Sequence, residues 1–127
     1  YEIGSGLVGS EMCIRDRWTS EALGNVVNNA VKYTPAGGTV TVSAQMLGSF
    51  CRVDVTDTGP GIPEGEQGEI FNRFYRGAGT RTAEGLGLGL YLTRKILTLQ
   101  GGYIKVSSIP GSGSTFSLYL PRELSGV

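Results

Sequence analysis

Asp57 begins a glycine-rich turn, residues 57–63, whose side chains suit ligand binding. The preceding run, residues 51–56, alternates apolar and polar side chains, which predicts a half-buried strand with Asp57 on its apolar face. A buried carboxylate needs a donor, either from its own turn or from a ligand such as an exocyclic amine. Gly59 and Gly61 would leave room for that ligand to approach. An ordinary Asx turn between a strand and a helix explains the same residues, and both interpretations stay open.

A second group of polar side chains recurs at spacings of three and four, and so forms one row along a predicted helix: Glu21, Asn25, Asn29, and then Lys32 or Tyr33. Asparagine is a poor helix former, so two of them four residues apart indicate a use for their amide oxygens. That use would be to hold a hydrated Mg²⁺ ion, with Lys32 near phosphate charge. A solvated polar face is the alternative explanation.

Three glycines, Gly85, Gly87 and Gly89, alternate with leucines just before a predicted helix at 91–99. Free backbone N–H groups and the positive end of the helix dipole make such a place suitable for phosphate. The motif is not a Walker loop, since no Lys-Ser/Thr pair follows, and no strand precedes it as a dinucleotide fingerprint requires. By itself it is a weak indication.

Composition narrows the possible functions. The 127 residues are enough for one domain with a real core, and the 11 basic and 11 acidic residues, without a dense basic run, give no electrostatic argument for nucleic acid or a membrane surface. No apolar run is long enough to cross a bilayer, and Cys13 and Cys51 form neither a metal-ligand nor a disulfide pattern, so a reducing cytoplasmic setting is the default. The absence of histidine excludes Ser-His, Cys-His and His-metal mechanisms on this chain.

The chain divides into three parts. Residues 1–15 show no clean period, and residues 8–17 resemble translated sequencing-adapter text, so this leader is interpreted as not native and as displacing the domain's own first strands. Residues 16–122 are interpreted as one domain, and residues 123–127 as a tail.

Local patterns predict the elements of this domain. The first is a helix capped by Thr19 or Ser20, with its apolar side formed by Ala22, Leu23, Val26, Val27, Ala30 and Val31. It is followed by strands at 39–46 and 51–56, a weak helix at 64–75 with Phe71 and Phe74 as core anchors, and a mobile loop at 76–84. The last elements are a helix at 91–99, with Leu92, Ile96 and Leu99 as its apolar stripe, and a closing hairpin of strands at 103–108 and 114–120.

The order of these motifs resembles the catalytic and ATP-binding domain of bacterial sensor histidine kinases, in the superfamily shared with gyrase, Hsp90 and MutL. The resemblance covers about residues 16–121. Four segments carry it, namely residues 25–33 (N box), 57–61 (G1 box), 70–76 (F box) and 85–90 (G2 box). It implies a two-layer α/β sandwich of the Bergerat type, with a mixed, mostly antiparallel sheet packed on helices and ATP held between helices and a lid.

The resemblance also implies roles for the amide row. Asn29 would be the principal Mg²⁺ ligand and Asn25 its helper. Lys32 and Tyr33 would face the phosphates and the adenine side. Asn25, Asn29 and Lys32, together with Arg76, would form the catalytic machinery.

The glycine motifs would complete the nucleotide site. Asp57 would accept from the adenine amino group, with Gly59 and Gly61 beside it, while Arg76 would contact phosphate and residues 77–84 would form the ATP lid. The other implied nucleotide-binding positions are Gly85, Leu86, Gly87, Leu88, Gly89 and, from the last strands, Thr115.

The implied reaction is transfer of the γ-phosphoryl group of Mg-ATP to a histidine nitrogen, by positioning and charge neutralisation. Because the chain has no histidine, the acceptor would lie on a separate dimerisation domain, with a response regulator as an indirect partner. The resemblance places the domain in the cytoplasm, with membrane anchoring through other segments of the kinase.

Three alternatives differ in chemistry. Gyrase- and Hsp90-type ATPases carry a glutamate general base where this chain has Asn25, and an amide cannot take a proton from water, which disfavours hydrolysis. Serine-directed anti-sigma kinases share the pocket. A nucleotide-binding module without catalysis is the third alternative.

Overall fold

A mixed β-sheet carries two helices on one face in the computed structural model, which describes residues 2–6, 17–72 and 89–121. The elements are β1 (Glu2–Gly6), α1 (Arg17–Tyr33), β2 (Thr39–Leu47), β3 (Phe50–Asp57), a 3₁₀ turn (Glu64–Glu66), α2 (Gly89–Leu99), β4 (Tyr103–Ile109) and β5 (Gly113–Pro121). Within the described residues the strand order is β1-β2-β3-β5-β4, and only the β1–β2 pair is parallel. The predicted two-layer sandwich with a mostly antiparallel sheet is confirmed.

The core lies between the helices and the inner face of the sheet. α1 buries Ala22, Val26 and Ala30, with the neighbouring apolar side chains of that helix half-buried, so its predicted apolar side is confirmed. The largest fully buried side chains are Phe116, Leu97 and Leu118. Burial of each side chain of this size contributes about 1.5–3 kcal/mol. This packing holds α1 against β2 and β3, and α2 against β4 and β5.

The apolar face of α2 differs from the predicted one. Leu92 and Leu99 are 43% and 77% exposed, whereas Thr93 and Leu97 are fully buried. The helix begins at Gly89, so its inward stripe starts at half-buried Leu90 and recurs at spacings of three and four. The stripe was not predicted because one of its members, Thr93, is a polar residue. Its hydroxyl can be buried because it donates to the Gly89 carbonyl at 2.9 Å.

Two further local predictions were wrong. Residues 64–72 form a 3₁₀ turn followed by turns whose N–H groups bond to carbonyls three residues earlier, as from Asn72 to Glu69, and not an α-helix. Two glycines in this segment lower its helical propensity. α1 begins at Arg17, so Thr19 and Ser20 lie inside the helix and do not cap it.

The leader contributes to the sheet. β1 lies within residues 1–15 and pairs with β2 at the edge of the sheet. Cys51 is disulfide-bonded, contrary to the prediction, since spacing along a chain does not decide which sulfurs meet in space.

Among the described residues no helix is both long and apolar enough to span a membrane.

Candidate functional site

Asp57 ends β3 on the inner face of the sheet, as predicted, between Val40 of β2 and Ser114 of β5. Its carboxylate is half-buried and accepts from the Gly59 N–H at 2.9 Å. Burial raises the pKa of Asp57, and hydrogen bonds from the backbone N–H groups of Gly59 and Ser114 oppose the shift. The Asx turn therefore exists, yet it leaves the carboxylate with acceptor capacity for a neutral donor.

The G1 glycines are required by the protein's own packing. A Cβ atom at Gly59 would lie 2.9 Å from the Tyr33 carbonyl oxygen, and one at Gly61 would lie 2.5 Å from the Ile109 carbonyl oxygen. Gly61 also has a positive φ of 78°. The space beside the two missing Cβ atoms, which was expected to admit a ligand, is thus occupied by α1 at Gly59 and by the β4–β5 hairpin at Gly61. These contacts hold the Asp57 turn in place.

α1 leads away from this turn and carries the amide row. Asn25 and Asn29 are half-buried on one side of α1, and Tyr33, whose carbonyl touches the turn, lies one helical turn beyond Asn29. At 1.5 Å per residue, Asn29 is about 6 Å and Asn25 about 12 Å from Tyr33 along the helix axis. Lys32 is exposed, with Nζ 5.6 Å from the Tyr33 ring centroid. A ligand with its base at Asp57 could therefore extend along α1 towards the two amides.

The donor set fits a hydrated Mg²⁺ ion. Amide oxygens are hard neutral ligands, and Mg²⁺ usually keeps several waters, so two amides on one helix face are a reasonable protein share of its coordination. Asn29, with Asn25 one turn away, is where such an ion would be held. A groove of about 300 Å³ nearby is lined by Ser20, Glu21, Gly24, Asn25 and Asn28. It shares only Asn25 with the predicted site, so it is not taken as the nucleotide pocket.

Thr115 does not join this site. Its hydroxyl lies 3.1 Å from that of Thr56, on the outer face of the sheet. Ser114 is the β5 residue that lies beside Asp57 on the inner face, where it is 6% exposed. The alternation of buried Phe116, Leu118 and Leu120 already assigns Ser114 to the inner face, so this residue could have been found from the sequence.

Several predicted positions fall outside the described residues, namely Arg76, the lid at 77–84, Gly85, Leu86, Gly87, Leu88 and Phe74. Gly89 is the first residue of α2, so this glycine does stand at a helix start. In the F box, Phe71 is 6% exposed and packs edge-on against Phe116 at 6.3 Å between ring centroids, which confirms it as a core anchor.

Comparison with known proteins agrees with the family resemblance that the sequence motifs indicate. The family described as "Histidine kinase-, DNA gyrase B-, and HSP90-like ATPase" matches residues 15–124. The sensor protein DivL of Caulobacter vibrioides is 43% identical over 103 residues, which are 81% of this chain and 13% of DivL. The chain spans less than a third of the length of such curated relatives, for example 29% of a SasA sensory kinase of Crocosphaera subtropica.

Solved structures agree with the sequence relatives. The mycobacterial sensor histidine kinase MprB is 29% identical with a TM-score of 0.77, covering 96% of this chain and 82% of that one. Full-length ShkA in complex with AMPPNP is 29% identical with a TM-score of 0.80, covering 99% of this chain and 26% of ShkA. The chain therefore belongs to the histidine kinase-, DNA gyrase B- and HSP90-like ATPase family, as an ATP-binding domain like the catalytic domains of sensor histidine kinases.

Proposed function

We propose that this chain binds Mg-ATP between α1 and the 57–63 turn and presents the γ-phosphate to a histidine on a separate dimerisation domain. The observation that carries the proposal is the half-buried Asp57 carboxylate, which accepts from the Gly59 N–H and keeps acceptor capacity for a further donor. Such a group suits the exocyclic amine of adenine, because that amine is a neutral donor. ShkA, a related full-length protein, is complexed with the ATP analogue AMPPNP.

The chain's own residues would divide the work along α1. Asp57 would accept from the adenine amino group, while Ser114 would line the same end of the pocket. Asn29, assisted by Asn25, would hold a Mg²⁺ ion, which supplies neutralisation of charge on the transferring phosphoryl group. Lys32 would place its charge near the phosphates. Arg76 and residues 85–89 would contact the phosphates from the lid side.

Transfer is favoured over hydrolysis by the residue at position 25. Activation of water requires a group that can accept its proton, and an asparagine amide cannot do so at neutral pH. The chain has no histidine and so cannot phosphorylate itself on that residue type. The dimerisation domain of the same kinase would supply that histidine, and a response regulator would receive the phosphoryl group from it. The domain would work in the cytoplasm and meet a membrane only through other segments.

A titration with ATP in the presence and absence of Mg²⁺ tests the proposal, read by isothermal calorimetry. Asp57→Asn is expected to weaken ATP binding at least tenfold, because a charge-assisted hydrogen bond is lost. Asp54→Asn is the matched control, since Asp54 lies on the outer face of the same strand, accepting from the Ser117 hydroxyl at 2.6 Å. Equal affinity of the Asp57→Asn variant and the wild type would contradict the assignment.

Asn29→Ala is expected to remove most of the gain in ATP affinity that Mg²⁺ gives, while binding without Mg²⁺ stays within about twofold of wild type. Asn28→Ala, at the neighbouring exposed position, is the control for effects on α1 itself. If both variants kept the full Mg²⁺ effect, the metal would have to be held elsewhere.

A further inference from the structure

Ser108 of β4 stands at the junction of three segments near Asp57. Its hydroxyl oxygen accepts from the Ile62 N–H at 2.7 Å, which ties it to the end of the 57–63 turn. The same oxygen lies 3.0 Å from the Gly113 carbonyl oxygen and 2.9 Å from the Ser114 hydroxyl oxygen. One side chain on an edge strand thus contacts both the turn that Asp57 begins and the residue paired with Asp57.

The direction in which the Ser108 hydroxyl donates its proton determines whether the Ser114 hydroxyl acts as a donor or an acceptor towards other groups. A hydroxyl has a single proton, so Ser108 can donate to the Gly113 carbonyl or to the Ser114 oxygen, but not fully to both. When Ser108 donates to Gly113, Ser114 must donate to Ser108, and only its lone pairs remain for other partners. Ser114 and the Asp57 carboxylate then both act as acceptors at one end of the site.

Neighbouring contacts reinforce the same junction. The Gln67 amide donates to the Ile62 carbonyl at 2.9 Å and to the Ser108 carbonyl at 3.2 Å. The Gly111 N–H donates to the Pro60 carbonyl at 2.7 Å. The turn and the β4–β5 hairpin are therefore fastened at several points, and Ser108 is the contact that extends to Ser114.

We infer that Ser108 is a positioning residue for recognition of the base: its hydroxyl fixes the turn and orients Ser114 so that this end of the site accepts hydrogen bonds and thereby favours adenine over guanine. The inference rests on the proposed function, since it concerns the base end of that same site. A carboxylate beside an acceptor hydroxyl matches the exocyclic amine of adenine, whereas guanine held in the same pose would place its 6-oxo acceptor against both of these acceptors.

The test compares the affinities of ATP and GTP for the wild type, Ser108→Ala and Ser108→Thr, by calorimetry with Mg²⁺. Ser108→Ala is expected to weaken ATP binding about tenfold and GTP binding much less, so that the ATP:GTP ratio falls. Ser108→Thr restores the hydroxyl and is expected to recover most of the ratio. Ser107→Ala is the matched control, because Ser107 is the exposed neighbour whose register partner is Thr115 on the outer face.

Thermal unfolding separates positioning from general destabilisation. If Ser108→Ala does not fold, Ser108→Cys takes its place and is judged by the same ratio, because a thiol of similar size is only a weak donor and acceptor. An ATP:GTP ratio within twofold of wild type in a folded Ser108→Ala variant would overturn the inference and leave the proposed function intact. Failure of the folded wild type to bind ATP would overturn both.

Discussion

Asp57 is the residue at which stability and function oppose one another. Burial raises its pKa, so the folded chain binds this proton more readily than the unfolded chain does. The resulting destabilisation is absent below the ordinary carboxyl pKa of about 3.9 and is fully present above the raised pKa of the folded state. At neutral pH the free protein therefore holds a carboxylate at a cost that nucleotide binding would offset.

Asp57→Asn is accordingly expected to make the nucleotide-free protein slightly more stable at pH 7.5, although the variant loses ATP affinity. The gain should shrink as the pH is lowered through the raised pKa and disappear below the ordinary carboxyl value. Urea denaturation of both proteins across this pH range measures the difference. A less stable Asn variant at pH 7.5, or a difference that is the same at every pH, would contradict the assigned origin of the shift.

The position of Asp57 on the inner face of the sheet was predicted correctly, because alternation along one strand is enough to place it. The β5 residue that lies beside Asp57 was harder to predict. Thr115 was chosen from the resemblance, whereas the register between β3 and β5 brings Ser114 to Asp57. The need for glycine at position 61 could not be attributed correctly from the sequence, since it arises from the hairpin carbonyl of Ile109, 48 residues along the chain.

At the scale of elements, α2 provides a direct test of which helix face is buried. Leu97→Ala is expected to lower the free energy of unfolding by about 2–5 kcal/mol, because it leaves a cavity at a position with no exposed surface. Leu99→Ala removes the same atoms from a side chain that is 77% exposed, and its effect should lie within about 0.5 kcal/mol of zero. Urea denaturation of the two variants makes the comparison.

Equal losses in the free energy of unfolding of the two variants would favour the predicted apolar face over the observed one. That prediction failed because leucines at 92 and 99 have the correct helical spacing, and spacing alone does not say which of two apolar stripes meets the sheet. The strands and α1 were predicted better, since each has only one apolar face. The segment that starts with the 3₁₀ turn was predicted as an α-helix because of the spacing of its apolar and aromatic residues. Its glycines lower the helical propensity, so only single turns form.

At the scale of the whole molecule, the order of motifs identified the fold where no single motif could. The N box helix, the G1 turn and the closing hairpin come from distant parts of the sequence, and the sheet order β3-β5-β4 brings the last two together. What the motifs could not supply is the acceptor. Under the proposed function, a domain that binds ATP without histidine would meet its acceptor on another segment or another chain, so phosphoryl transfer would depend on how the two are assembled.

A chimera tests this dependence. The chain alone, incubated with Mg²⁺ and γ-labelled ATP, is expected to bind nucleotide without labelling itself, since it has no histidine. Fusion to a dimerisation domain that carries an acceptor histidine should produce acid-labile phosphate on that domain, and replacement of the acceptor histidine by glutamine should abolish it. Asp57→Asn in the fusion should lower the rate of labelling at subsaturating ATP, because fewer sites hold nucleotide. Sustained phosphate release by the chain alone would favour the ATPase alternative, and an unlabelled fusion that binds ATP would favour a binding module without catalysis.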